Sequence, residues 1–164
     1  MNAFYGWLEG LPFSLWIRES GSLWAFPMFL FSHTLGMAFV AGGSAIIDMA
    51  LLGVWPKAPI KPLERLYPIM WLGFAVNLFT GVALFCADAT TRGNNPDFWV
   101  KLVFVAAGVF VIARIRKKVF GNPALDNGPL PGEAKMLAWA SLVCWFGAIV
   151  AGRLIAYVGP VAGL

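Results

Sequence analysis

Residues 23–52 read LWAFPMFLFSHTLGMAFVAGGSAIIDMALL, an apolar run in which His33 and Asp48 are the ionisable side chains. A helix of about 20 apolar residues is long enough to cross the hydrocarbon core of a bilayer. The run therefore predicts a transmembrane helix. Because it is longer than a perpendicular crossing needs, we expect the helix to tilt or to extend beyond the membrane.

The composition of the whole chain also indicates a protein that lies in the membrane. The 164 residues are 60% hydrophobic and 12% charged, and the mean hydropathy is +0.76. Soluble domains carry roughly a quarter of charged residues, so the composition predicts an integral membrane protein. Residues 1–164 are expected to form a single transmembrane domain, and the absence of a basic region before a short apolar run predicts no cleavable signal peptide.

Three more apolar stretches predict spans over about residues 69–88, 98–113 and 136–158. The third span is preceded by Asn95-Pro96-Asp97, which supplies an N-cap, a proline in the first turn and an acid at the positive helix end. We expect the fourth span to end at Gly159-Pro160. The third is expected to stop at four basic residues, Arg114, Arg116, Lys117 and Lys118.

The segment before the first span, about residues 3–19, mixes aromatic and charged side chains and is broken by Gly10 and Pro12. This pattern predicts one or two short helices lying at the membrane interface. The fold class expected is therefore all-α: an antiparallel four-helix transmembrane bundle with an N-terminal interfacial helical segment.

The basic residues of the loops predict the orientation. The second loop contains one basic residue, Arg92. The basic residues of the first and third loops are Lys57, Lys61, Arg65, Arg114, Arg116, Lys117, Lys118 and Lys135. The positive-inside rule then places these two loops in the cytoplasm and both termini in the periplasm of a bacterial inner membrane. Topology accounts for the net charge of +4, so no nucleic-acid partner is expected.

Three ionisable residues of different spans share one predicted depth. His33 and Arg153 each lie about 8 Å outward of the midplane, and Lys101 lies one turn into the third span from the same side. Each such group costs roughly 2.5 to 3.5 kcal/mol in the hydrocarbon. Their common level predicts a site that opens toward the outer side.

Small residues accompany this level. Steps of three and four residues from His33 reach Gly36 and Gly43, which predicts a face without side chains that suits a flat macrocycle. Asn77 lies on a polar stripe of the second span. We assign a ridge of small residues in the fourth span to helix packing; it comprises Ala140, Cys144, Ala148 and Gly152.

A buried imidazole such as His33 suits haem iron, copper or zinc; the ordinary alternative is a hydrogen bond to a neighbouring helix. Lys101 and Arg153 are suited to hold an anionic group, such as a haem propionate or a quinone oxygen, or else to snorkel to the interface. Met28 and Met37 leave copper open as an alternative cofactor.

Two motifs carry a resemblance. Residues 33–43, HTLGMAFVAGG, and residues 98–102, FWVKL, resemble the first-span histidine and third-span Trp-x-x-Lys-Leu pattern of the HemJ-type protoporphyrinogen oxidases. The histidine followed by a glycine pair is also similar to the CopD-type copper-resistance membrane proteins. The whole chain, including Gly152-Arg153-Leu154-Ile155, resembles a family of uncharacterised bacterial inner-membrane proteins.

The HemJ resemblance implies that His33 is associated with b-type haem and that Lys101 is required for function. The chain lacks the Leu-Pro-Arg-Leu stretch and the second histidine of that family. The resemblance therefore favours haem binding over oxidation of protoporphyrinogen.

The function expected is a membrane-embedded b-type haem protein of electron transfer or oxidoreduction, such as a haem-dependent oxidoreductase, with haem in the periplasmic half. His33 is the expected metal ligand, catalytic residues stay unassigned, and the other cofactor-binding residues expected are Gly36, Gly43, Asn77, Lys101 and Arg153. Expected partners are membrane lipid, a quinone or redox protein, and a second copy of the chain. The alternatives are a copper-handling or transport protein of the CopD type and a structural subunit of a larger membrane complex.

Overall fold

A computed structural model describes residues 2–55, 59–122, 130 and 132–158 of the chain. Among these residues, four long helices are apolar enough to cross a membrane, so the chain is a multi-pass membrane protein with the predicted all-α bundle. The helices are α1 (Asn2–Glu9), α2 (Pro12–Glu19), α3 (Phe26–Leu52), α4 (Tyr67–Ala87), α5 (Ala89–Gly93), α6 (Pro96–Ile115) and α7 (Glu133–Val158).

The four long helices pack in the order α4, α3, α7, α6, with extensive contact between each neighbouring pair. Helices α4 and α6 meet chiefly at their two ends. At one end the Tyr67 hydroxyl donates to the carbonyl of Ile112 over 3.4 Å. At the other, the rings of Phe85 and Phe98 stack with centroids 5.1 Å apart. Between these two ends, α4 and α6 flank α3 and α7 without a continuous interface of their own.

The core of the bundle lies in the half that contains the loop between α3 and α4. Leu51, Tyr67, Ile115 and Val119 are fully or almost fully buried there. Large apolar side chains therefore fill this half, which is named the inner half after the predicted orientation, whereas the opposite, outer half contains His33, Lys101 and Arg153.

The N-terminal segment is helical, as predicted, and breaks between α1 and α2. Ile17 of α2 is completely buried against Ala83 and Ala87 of α4. The carboxylate of Glu9 accepts a 2.6 Å hydrogen bond from the backbone N–H of Thr90. These contacts tie the segment to the outer end of the bundle, where it adds a cover over α4 and α5.

The helix ends follow the sequence signals with two differences. Asn95 caps α6 as predicted, accepting from the N–H of Asp97 at 2.9 Å. The basic cluster, however, does not end the third span, because one turn of π-helix continues from Arg116 to Phe120. Val119 is fully buried and the Phe120 ring packs edge-on against Tyr67, and these apolar contacts stabilise the extra turn.

The other difference lies at the starts of the spans. The first helix begins at Phe26 rather than near residue 23, and the fourth begins at Glu133, ahead of the predicted start. Glu133 forms an ion pair with Lys118, which joins α7 to the π turn. Lys57 and the predicted stop at Gly159-Pro160 lie outside the described residues.

Candidate functional site

His33 lies in α3 and faces α4. Its Nδ1 atom is 3.1 Å from the backbone carbonyl oxygen of Asn77 and 3.1 Å from the Thr80 hydroxyl. A carbonyl oxygen only accepts hydrogen bonds, so Nδ1 carries the proton and donates. In the neutral ring Nε2 then keeps its lone pair and is the nitrogen able to bind a metal.

Asn77 returns the hydrogen bond. Its side-chain amide donates to the backbone carbonyl of His33 over 2.7 Å. The Thr80 hydroxyl donates to Val76 of its own helix at 2.6 Å, so its oxygen is left to accept from the imidazole. The histidine, the amide and the hydroxyl therefore form one network that links α3 to α4.

The ring position depends on a glycine. A Cβ atom at Gly81 would lie 3.0 Å from Cε1 of His33, so the imidazole lies directly against the α4 backbone. Any larger residue at this position would push the ring away. Gly81, one residue after Thr80 and four after Asn77, is thus part of the same arrangement.

The glycines that were expected to form a wall for a macrocycle serve a different purpose. A Cβ at Gly36 would stand 2.6 Å from the carbonyl oxygen of Gly73, and one at Gly43 would stand 2.7 Å from Cγ of Met70. Both glycines are therefore covered by α4. The face is free of side chains because the two helices approach closely there, and the predicted open wall is wrong.

Lys101 extends from α6 toward α7 and the histidine. Its carbon chain passes Gly152, where a Cβ would lie 3.4 Å from Cδ and 3.5 Å from Cε. The ammonium group and Arg92 of α5 both interact electrostatically with His33. Two cations of neighbouring elements, Lys101 and Arg92, therefore lie within electrostatic range of the imidazole.

Arg153 and Arg92 differ in placement. Arg153 follows Gly152 in α7, and its side chain is exposed. Arg92 is half-buried and forms a 3.3 Å ion pair with Asp88. Sequence reasoning did not assign Arg92 or Thr80 to the site. The signals were present, because Arg92 is the basic residue of the second loop and Thr80 lies three residues after Asn77 on the same helix face.

In the part of the chain that the structure describes, no three side chains of His, Cys, Asp or Glu come together in one place. Haem iron is held by its porphyrin and takes only one or two axial ligands from protein. A single oriented imidazole meets that requirement.

Comparison of the chain with protein-family models, with curated proteins and with solved structures finds no match.

Proposed function

We propose that the protein binds b-type haem in the outer half of the bundle, with His33 as an axial ligand, and acts in electron transfer or oxidoreduction. The observation that carries this proposal is the hydrogen bond from Nδ1 of His33 to the Asn77 carbonyl. Histidines that bind metals almost always donate their other ring N–H to a carbonyl, carboxylate or water, which fixes the tautomer and raises the basicity of the ligand.

The cations near His33 support the same proposal. Haem carries two propionates, and Lys101 and Arg92, which interact electrostatically with His33, would neutralise such groups or a quinone oxygen. Arg153, which is exposed in α7, is proposed for the same role. Bound haem would supply one-electron chemistry; the chain would supply the oriented ligand, the positive charge and an apolar surrounding.

The cellular setting forms part of the proposal. A dense group of basic residues lies at the end of the bundle opposite His33, and it includes Arg114, Arg116, Lys117 and Lys118. Under the positive-inside rule this end faces the cytoplasm. The haem would then lie on the periplasmic side of a bacterial inner membrane, with both termini periplasmic, in reach of a quinone, a redox protein or a second copy of the chain.

The test is the visible spectrum of the detergent-purified protein, oxidised and dithionite-reduced, with a pyridine haemochrome assay. We expect a Soret band that is lost or shifted in His33→Ala. Thr34→Ala is the matched control, because among the described residues this neighbouring hydroxyl bonds only to Leu30 of its own helix. A normal spectrum in His33→Ala with a folded bundle would remove His33 from the ligand role.

A second variant tests the charge. Lys101→Met keeps an apolar chain against Gly152 and removes the ammonium, so the reduction potential of the bound haem should fall, because a positive charge near the iron favours the reduced state. Lys117→Met, at the opposite end, should leave the potential unchanged. Equal potentials in both variants would make Lys101 an interface anchor.

The close approach of Gly36 to Gly73 favours a second candidate, a structural subunit of a larger membrane complex. Small residues at such crossings are a general device of membrane helix packing. A colourless preparation that copurifies with another subunit would support this candidate. Copper without haem in metal analysis would instead support a copper-handling protein.

A further inference from the structure

Asp48 is a completely buried carboxyl group of a membrane span. It belongs to α3 and is 0% exposed. The Ser44 hydroxyl, one turn earlier, donates to its Oδ2 atom over 3.2 Å. The same hydroxyl is 2.8 Å from the hydroxyl of Ser141 in α7. Asp48 thus ends a short chain of hydroxyl groups that joins the two central helices.

The second carboxyl oxygen is unsatisfied. Oδ1 of Asp48 is buried and has no hydrogen-bond partner among the described residues. Among the described residues, Ser141 of α7 is hydrogen-bonded to the carboxyl group, and Tyr67 of α4, whose hydroxyl donates to Ile112, interacts with it electrostatically. Arg116 lies behind the Tyr67 ring, 5.4 Å from its centroid. No ion pair joins Asp48 to a cation of the described chain.

The charge state follows from this environment. An unpaired carboxylate in a membrane interior costs several kcal/mol, whereas a neutral carboxyl needs only ordinary hydrogen bonds. Two serine hydroxyls can serve a neutral carboxyl as donor or acceptor, but they cannot neutralise a negative charge. The geometry therefore favours the protonated form of Asp48.

Asp48 lies near one end of its helix. Asp48 is four residues from Leu52, the end of α3, and so about 6 Å from that helix end along the axis. His33 is about 22 Å away in the other direction. The carboxyl is thus close to the loop between α3 and α4 and remote from the candidate haem ligand.

We propose that Asp48, with Ser44 and Ser141, is a proton-binding site of the inner half of the bundle. The carboxyl holds a proton at neutral pH and releases it to, or takes it from, water at the end of the bundle that carries the loop between α3 and α4. Release leaves a carboxylate and transfers one proton to water, with no change of oxidation state. The proposal does not depend on haem.

Infrared spectroscopy of the purified protein in lipid nanodiscs tests it. At neutral pH the wild type should show the carbonyl band of a protonated carboxyl, and the band should shift in D₂O and disappear reversibly as the pH is raised. Asp48→Asn should lose the band. Asp88→Asn is the control, because Asp88 is partly exposed and paired with Arg92, and it should keep the band.

A further variant separates loss of the site from misfolding. Ser141→Ala leaves the carboxyl in place and removes one hydroxyl, so the band should move in frequency and not disappear. A band that is missing in the wild type, or that persists in Asp48→Asn, would overturn the proposal. A band that neither shifts in D₂O nor responds to pH would also overturn it, because the carboxyl would then be sealed from water. A band that sodium ions abolish at constant pH would do the same, because the carboxyl would then be a cation site.

Discussion

At the scale of single residues, His33 and Asn77 exchange hydrogen bonds in both directions between α3 and α4. Both side chains are polar groups in the hydrocarbon region, where water does not compete for their bonds. The two hydrogen bonds give each side chain a polar partner, and they also set the tautomer of the imidazole. One pair of residues therefore serves both helix packing and the orientation of a candidate ligand.

Asn77→Ala tests the structural part of this role. Removing the amide deletes the 2.7 Å bond to the His33 carbonyl, and such bonds between membrane helices contribute about 0.6 to 2 kcal/mol. We expect the free energy of unfolding, measured by denaturant titration in mixed micelles, to fall by that amount.

Asn94→Ala is the matched control for the amide. Asn94 is exposed, and within the described part of the chain its side-chain amide bonds only to Thr90, one turn away, so its loss should change stability by less than about 0.5 kcal/mol. Equal effects of the two substitutions would mean that the bond across the helices contributes nothing.

Single residues also show how far sequence reasoning reached. His33 and Lys101 were singled out from their depth in separate spans, and the structure brings them into electrostatic reach. Thr80 was not singled out, because a hydroxyl in a span ordinarily bonds to its own backbone. Its contact with the imidazole exists only because α3 and α4 pack in one particular rotation.

At the scale of helices, the α3–α4 pair is held together by close backbone approach. Gly36 and Gly73 face each other, and Met70 fills the space over Gly43. Without a hydrophobic driving force between helices in lipid, such contacts supply the packing energy. The rotation of α4 that these glycines allow is the same one that places Asn77, Thr80 and Gly81 against His33.

Two glycines of α3 give a matched test of this packing. A Cβ at Gly36 would lie 2.6 Å from a backbone oxygen of α4, whereas a Cβ at Gly42 meets nothing within 4 Å. Gly36→Ala should destabilise the bundle by about 1 to 3 kcal/mol, because the helices must separate. Gly42→Ala should be neutral or stabilising by up to about 1 kcal/mol through helix propensity.

The measurement is again unfolding in mixed micelles, and a helix-distance probe can accompany it. If Gly36→Ala were as stable as Gly42→Ala, the close approach of α3 and α4 would not contribute to stability.

The π turn after α6 also depends on packing between helices. Its basic residues predicted an end, but burial of Val119 beside Tyr67 of another helix extends it.

At the scale of the whole molecule, charge is distributed unevenly along the bundle. The exposed basic residues of the π turn lie at one end, while His33, Lys101 and Arg92 lie toward the other. A membrane protein orients its basic end toward the cytoplasm. This asymmetry predicts that the His33 end of the bundle faces the periplasm and that the basic end faces the cytoplasm.

Cysteine labelling tests the orientation. In a background in which Cys86 and Cys144 are replaced by Ala, we expect Asn94→Cys to react with an impermeant maleimide on intact bacterial cells. Lys117→Cys should react only after the membrane is permeabilised; both positions are exposed. Labelling of Lys117→Cys on intact cells, with Asn94→Cys protected, would reverse the topology and place the haem site on the cytoplasmic side.

The sequence alone determined the number of spans, the helical N-terminal segment and the Asn95 cap, because hydrophobic length and capping are properties of residues that are neighbours in the chain. It also identified His33 as an unusual residue of a span. These features depend on the solvent around each helix and not on the position of the other helices.

Only the tertiary structure decided what the glycines face, which groups orient the imidazole, and that Asp48 is buried with an unsatisfied oxygen. Each depends on how a helix is rotated about its axis and which helix lies beside it. The residues that make the contacts of the imidazole are more than 40 positions apart in the chain. The hydropathy of a helix does not show whether one of its faces contacts lipid or another apolar helix.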